Sequence, residues 1–333
     1  MPTINRRGFL AATAGVMLAG CTSSSTSAPI TTSTATTATE PTPTSTAPTS
    51  AAVTTPSLPP LPRVSRWVPD PGDVDPMVKA QAVHVVEAIG TWTNGGAGAD
   101  AAAARVAAAG QPGSLARQAP QLLPQAHEAA VQVIDAQYGG ILATSASVLV
   151  VCRQWSASRT GAIRPSGTTV DVRLVKTGGG WRVIALHPAR PGAPARHLSD
   201  LAARVLAEPR ITLPPASMAD IRSGQVHESV LSALLTLSRR YRIGVSVIRS
   251  GHPIYVFGTN RRSDHPRGRA FDTWRIDGRP VVHPSTPSAL VIGYMESAAA
   301  AGSYNVGGPY LLSGSQFFSD ATHHDHVHAG FLT

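Results

Sequence analysis

Apolar positions recur along this chain with two different spacings, and the alternation between them outlines its elements. From Asp75 the stretch DPMVKAQAVHVVEAIGTW sets Val78, Ala82, Val85 and Ile89 near helical spacing, which predicts a helix. An Ala-rich segment follows, and then three strand-like runs: AAVQVIDAQYGGIL, ASVLVVCRQWSAS and TTVDVRLVKTGGGWRVIALHP. In the last of these, Val170, Val172 and Leu174 alternate with polar neighbours, and KTGGGW supplies turn residues before WRVIAL. Beyond PARPGAPARHLSD, the helical spacing returns in ESVLSALLTLSRRYR, where Val230, Leu231, Leu234, Leu235 and Leu237 make one broad apolar face. IGVSVIRSG predicts a short strand, and RAFDTWRIDGRPV two strands joined at Asp277-Gly278. STPSALVIGYMESAAAAG predicts a helix with Ser285 or Thr286 as N-cap and Gly302 as its stop. HDHVHAGF reads as a final strand. Helices first and a meander afterwards, then a second mixed set, make the fold class α+β.

The N-terminal region carries neither spacing. From Thr22 to about Pro62 the residues are almost only Ser, Thr, Ala and Pro, with one charge at Glu40, too little bulk to bury a core. The expected layout is a leader over 1–21, a disordered tether over 22–63 and a first α+β domain over 64–198. A joint over 199–216 and a second domain over 217–333 complete it. The leader NRRGFLAATAGVMLAGC has a charged start and an apolar run too short to span a bilayer, which needs about twenty residues. Its paired Arg6 and Arg7 resemble a twin-arginine export signal. Leu18-Ala19-Gly20-Cys21 resembles a bacterial lipobox, with Cys21 the residue that receives lipid. The implied location is the outer face of the cell membrane, held through an N-terminal lipid anchor.

Composition narrows the partners. The formal charge is +9, carried almost entirely by arginines scattered along the chain with no stripe or face, so nucleic acid is not an expected partner. A basic exterior suits an anionic cell envelope instead. With Cys21 lipidated, Cys152 stands alone; this leaves no intrachain disulfide and no Cys-ligated metal site. In ASVLVVCRQW it reads as a buried, inert thiol.

The candidate chemistry lies in two short segments. In SDHPRGRAFD, His265 and Asp272 flank the small residues Gly268 and Ala270. If GRAFD is a strand, Gly268, Ala270 and Asp272 share a face, and the two small side chains leave room for an ion. In HDHVHAGF, His326 and His328 also share a face, and an antiparallel pairing could bring one of them to His265 and Asp272. Two imidazoles and a carboxylate with an open position suit catalytic Zn²⁺. The competing reading is a solvated, His-rich chain end.

The pattern SxHxxGxAxD followed by HxH resembles the LAS-type metallopeptidases, the group of D-alanyl-D-alanine carboxypeptidases, murein endopeptidases, phage endolysins and the hedgehog signalling domain. The resemblance covers about Ser217 to Thr333. It implies a small antiparallel sheet flanked by helices, with His265, Asp272 and His328 as zinc ligands. The family's usual base is a Glu three residues before the last ligand; here that position is Asp325, and His326 matches an active-site His of the endopeptidase branch. Either would move the proton of an attacking water. The family's Ser-Gly-Tyr-Arg appears as Ser250-Gly251-His252-Pro253, so its substrate-side Arg is missing; Arg249, Arg261 or Arg262 could replace it, with Ser263 also near substrate. The implied function is zinc-dependent hydrolysis of peptidoglycan peptide stems or cross-links. The alternative is a non-catalytic, zinc-stabilised wall-binding or scaffold lipoprotein. The first domain more loosely resembles the cone-shaped nuclear-transport-factor-like domains of actinobacterial lipoproteins, and a third reading makes it the active party, binding a lipid or a partner protein.

Overall fold

The strand periodicity between residues 128 and 188 is realised as a four-stranded antiparallel meander. The computed structural model describes residues 60–333; the leader, Cys21 and most of the tether lie outside the described residues. Strands β1 (Glu128–Ile141), β2 (Ser145–Ala157), β3 (Ile163–Thr177) and β4 (Gly180–Pro188) lie in the order β1-β2-β3-β4. Helix α1 (Pro76–Gly90) turns Val78, Ala82, Val85, Val86 and Ile89 onto this sheet, and α2 (Ala99–Ala108) is the Ala-rich segment. Along β1 burial alternates at first and becomes nearly continuous from Ala136 to Gly140. A strand is buried on both faces only where a second layer covers it, and here that layer is the C-terminal half of the chain. Cys152 is buried in the β2 core, its thiol pushed up to about 11 by burial, in keeping with an inert side chain.

The C-terminal half builds its own mixed layer. Its elements are α3 (Asp200–Ala207), β5 (Ile211–Thr212), α4 (Pro215–Arg222), α5 (Glu228–Ser238), β6 (Ile243–Val245), β7 (Ala270–Ile276) and β8 (Arg279–Pro280). They continue with α6 (Ser288–Ala300), β9 (Asn305–Gly307), β10 (Phe317–Phe318) and β11 (Val327–Gly330). The sheet order is β10-β9-β11-β7-β6-β5, with β8 paired to β7. The centre is antiparallel, while β5–β6 and β9–β10 are parallel pairs. The stretch expected as a joint therefore contains a helix and an edge strand of this sheet. Leu231 and Leu234 of α5, Tyr294 and Met295 of α6, and Phe271 of β7 share one core. Asp277 (φ 50°) and Gly278 (φ 80°) make the β7–β8 turn. The expected N-cap of α6 is corrected: Pro287 occupies it, Thr286 donates its hydroxyl to the Pro280 carbonyl, and Ser285 pairs with His283.

The described residues fall in a single compact unit, and the two sheets meet directly. Leu149 and Val151 of β2 pack on Val247, forming a small core between the halves. At Gly140 a β-carbon would lie 2.1 Å from Cβ of Phe257, so the end of β1 reaches the C-terminal half only because that residue has no side chain. Register irregularities on either side of Asp135–Tyr138 re-aim this part of β1. It is the segment that enters the site described next.

Candidate metal centre

Strand pairing brings the two histidine-bearing segments together. β7 and β11 run antiparallel with His328 opposite Asp272, so their side chains project on the same face. His265 arrives from the 3₁₀ turn His265–Arg267 just before β7. The result is a triangle of near-equal sides: His265 Nε2 to Asp272 Oδ1 is 3.1 Å, His265 Nε2 to His328 Nδ1 is 3.1 Å, and His328 Nδ1 to Asp272 Oδ1 is 3.1 Å. His265 and Asp272 are fully buried and His328 nearly so.

The chemistry of these three atoms fits a cation. His265 Nδ1 lies 2.7 Å from the Ile248 carbonyl, which only accepts, so Nδ1 carries the proton and Nε2 presents a lone pair. That lone pair faces a carboxylate oxygen and a second imidazole nitrogen. Around a tetrahedral ion with bonds of about 2.0–2.1 Å, ligand atoms sit about 3.3–3.4 Å apart, close to the observed sides. Burial by itself would raise the Asp272 carboxyl, but His265 and His326 outweigh it and hold it well below its usual range. Burial pushes the His328 imidazole down to about 4, so it stays neutral, as a metal ligand must be.

His252 adds a fourth group. Ligand atoms of His252, His265 and Asp272 all lie within 4.8 Å of one another, a cluster that could hold a metal ion. Its ring stacks on His265 with centroids 4.0 Å apart, and burial together with the neighbouring His265 holds its imidazole well below the usual value. The sequence presented His252 only as a departure from a tyrosine, so this role was not read there.

Gly268 serves a purpose other than the one expected. It lies outside β7, in a left-handed conformation (φ 69°) that ends the His265 turn. A β-carbon there would come within 2.0 Å of the Gln225 carbonyl oxygen. The glycine is required by the turn and by that backbone approach, and of the two small residues only Ala270 lies on β7 with Asp272.

Of the two proton-carrier candidates, only His326 faces the triangle, with Nε2 3.8 Å from Asp272 Oδ1. Its Nδ1–H donates to Asp325 Oδ1 at 2.6 Å. Asp325 Oδ2 accepts from the backbone N–H of Tyr138 at 3.0 Å and pairs with Lys79 Nζ at 2.7 Å. Burial would raise the Asp325 carboxyl, but Lys79 and His326 bring it below its ordinary value. Both of its oxygens are thus occupied away from the triangle.

The first half of the chain contributes to this site in ways the linear sequence does not display. Gln137 Nε2 donates to Asp272 Oδ2 at 2.7 Å, and its carbonyl accepts from Ser246. Lys79 sits on the apolar face of α1 in line with Ala82, Val83 and Val86 and is 2% exposed. A charge among core positions of a predicted helix was the available signal, and Lys79 is one of only two lysines in the chain.

A cleft of about 440 Å³ opens over the triangle. Tyr138, Ile141 and Leu142 of the first half line it together with Phe257, Arg261, Ser263, His323, His326 and His328. Ser263 lies in the cleft, its Oγ 3.4 Å from His252 Nδ1. Of the arginines considered for substrate, Arg261 lines the cleft. Arg249 does not: its guanidinium is engaged by Asp220, Gln225 and the Pro191 carbonyl, so its expected place beside substrate is corrected.

No protein-family model, curated protein or solved structure matches this chain.

Proposed function

We propose that this chain is a zinc-dependent peptidase acting on the peptide stems or cross-links of peptidoglycan, tethered at the outer face of the cell membrane through Cys21. The observation that carries the reading is the buried triangle of His265, Asp272 and His328, with a bare imidazole lone pair aimed at a carboxylate. Those three residues would hold the zinc, with His252 beside them. A zinc ion in such a setting supplies a Lewis acid for a scissile carbonyl and makes water acidic enough to attack near neutral pH. His326 Nε2 faces the triangle and would carry a proton from the attacking water to the leaving amine. Asp325 holds the Nδ1 proton of His326 and so keeps Nε2 free to accept. Arg261, in the cleft wall, is the cation available to a substrate carboxylate or a developing oxyanion. The SxHxxGxAxD and HxH segments support the LAS-type assignment, and the four-stranded meander with α1 supports the cone-like one.

The test is muropeptide mass spectrometry with the wild type and His265→Ala side by side, together with metal analysis. The reading requires about one zinc per chain and stem or cross-link cleavage that His265→Ala abolishes. One observation favours a second reading, a zinc-stabilised wall-binding module: the carboxylate at the family's base position is turned away toward Lys79. Stoichiometric zinc without cleavage of any muropeptide would select it.

A further inference from the structure

The cation paired with the carboxylate that holds the proton carrier of the proposed site comes from the other half of the molecule. Lys79 reaches down from α1, pairs closely with Asp73 and lies 2.7 Å from Asp325 Oδ2. Asp325 passes the contact on through its other oxygen to His326 Nδ1 at 2.6 Å. His326 Nε2 then lies 3.8 Å from Asp272 Oδ1. An unbroken file of side chains, Asp73–Lys79–Asp325–His326, therefore runs from the loop before α1, through Lys79 of that helix, to the donor triangle.

Burial makes this file more than a surface ion pair. Lys79, Asp325 and His326 are all nearly inaccessible, and Asp135 adds another carboxylate beside Lys79. A buried ion pair adds little net stability compared with well-packed apolar residues, so stability alone does not account for a lysine here. What the pair does supply is direction. With Lys79 and the Tyr138 N–H both on Oδ2, the Asp325 carboxylate cannot rotate, and Oδ1 is held toward His326. That contact keeps the proton on Nδ1 and the ring turned so that Nε2 faces Asp272.

We infer that Lys79 is a positioning residue: acting through Asp325, it fixes the orientation and tautomer of His326, which makes the N-terminal half an integral part of the site. The catalytic consequence rests on the peptidase reading; the effect on the His326 ring does not.

The experiment uses the full chain with Lys79→Met, Lys79→Arg, Asp325→Asn and the Lys79→Met/Asp325→Asn double variant. In metal-free protein, NMR should show a downfield Nδ1 proton of His326, assigned by its loss in His326→Gln. Lys79→Met should abolish or shift this signal, and Lys79→Arg should keep it. On muropeptides, Lys79→Met should lower kcat by about 10- to 100-fold with KM nearly unchanged, bind one zinc as before, and be largely rescued by Arg. In the Asp325→Asn background it should have no further effect. A folded Lys79→Met with an unchanged signal and kcat overturns the inference, as does an effect that simply adds to that of Asp325→Asn. If Lys79→Met does not fold, the charge-balanced Asp73→Asn/Lys79→Met pair carries the same comparison. A wild type that cleaves nothing defeats the peptidase reading, while the NMR arms still decide the role of Lys79.

Discussion

Gln137 of β1 and Asp272 of β7 are joined by a buried 2.7 Å hydrogen bond across 135 residues of sequence. Asp272 has two oxygens with different partners: Oδ1 faces His265 and His328, and Oδ2 takes the Gln137 amide. A ligand carboxylate anchored by one oxygen is oriented for its ion by the other. Gln137→Leu is therefore expected to weaken affinity for the proposed zinc by about 10- to 100-fold, read by competition with a chelator. Leaving a buried carboxylate oxygen and Ser246 without their partner should also cost about 1–3 kcal/mol of stability. An unchanged affinity would mean that Gln137 is packing and nothing else.

The division of labour among the histidines is testable by metal content. His265→Ala and His328→Ala each remove one corner of the triangle and should abolish stoichiometric binding. His252→Ala removes a group stacked on His265 but outside the triangle, so the ion should be retained with lower affinity. Chelation of the wild type should lower Tm, because an ion that binds only the folded chain stabilises it by mass action. Equal metal loss in all three variants would make His252 a ligand of the same rank.

Asp135 gives the clearest pH dependence. Burial pushes its carboxyl up to about 7, against an ordinary value of 3.8, with Lys79 opposing the shift, and its Oδ2 has no hydrogen-bond partner. Between pH 4 and 7 the folded chain keeps a proton that the unfolded chain has released. The stability this group contributes is thus present at low pH and lost as pH rises through about 7. Asp135→Asn cannot ionise. It is expected to be more stable than the wild type by about 1–3 kcal/mol at pH 8, the cost of a buried unpaired group. The two should converge near pH 4, measured as urea midpoints across that range.

The spacing of apolar residues displayed α1, α5 and the hairpin of β3 because each carries a period in its sequence, whereas α6 was legible from its ends and β2, buried almost throughout, only as an apolar run. β5, β9 and β10 have only two or three residues, too few for any period to appear. The triangle was legible for a different reason: SxHxxGxAxD and HxH together resemble a known ligand pattern, and the pairing of β11 with β7 sets His328, not His326, opposite Asp272. Lys79, Asp135 and Gln137 were not, because their roles arise from docking between distant segments. Gly268 was read as space for an ion, whereas its φ and the Gln225 carbonyl decide its identity. Gly268→Ala tests this: a loss of about 1–3 kcal/mol is expected from overpacking and backbone strain, read by urea unfolding with zinc stoichiometry unchanged.

Two arginines divide between support of the fold and the proposed contact with substrate. Arg249 spends its guanidinium on Asp220, Gln225 and the Pro191 carbonyl, and burial holds the Asp220 carboxyl above its usual value even with these partners. Removing that guanidinium leaves Asp220 short of a partner, so Arg249→Ala should lower stability and leave KM unaffected in whatever protein stays folded. Arg261 is exposed, and its side chain lines the cleft above His265 and His328. Arg261→Ala should leave urea unfolding unchanged. Its effect should fall on the substrate: a higher KM if the guanidinium holds a carboxylate in the ground state, or a lower kcat if it meets charge that develops during reaction. Steady-state kinetics on one defined muropeptide, with Arg261→Lys for comparison, distinguish the two, since a lysine keeps the charge but loses the planar fork. If Arg261→Ala changes neither constant while Arg249→Ala raises KM, the placement of substrate along this cleft is wrong.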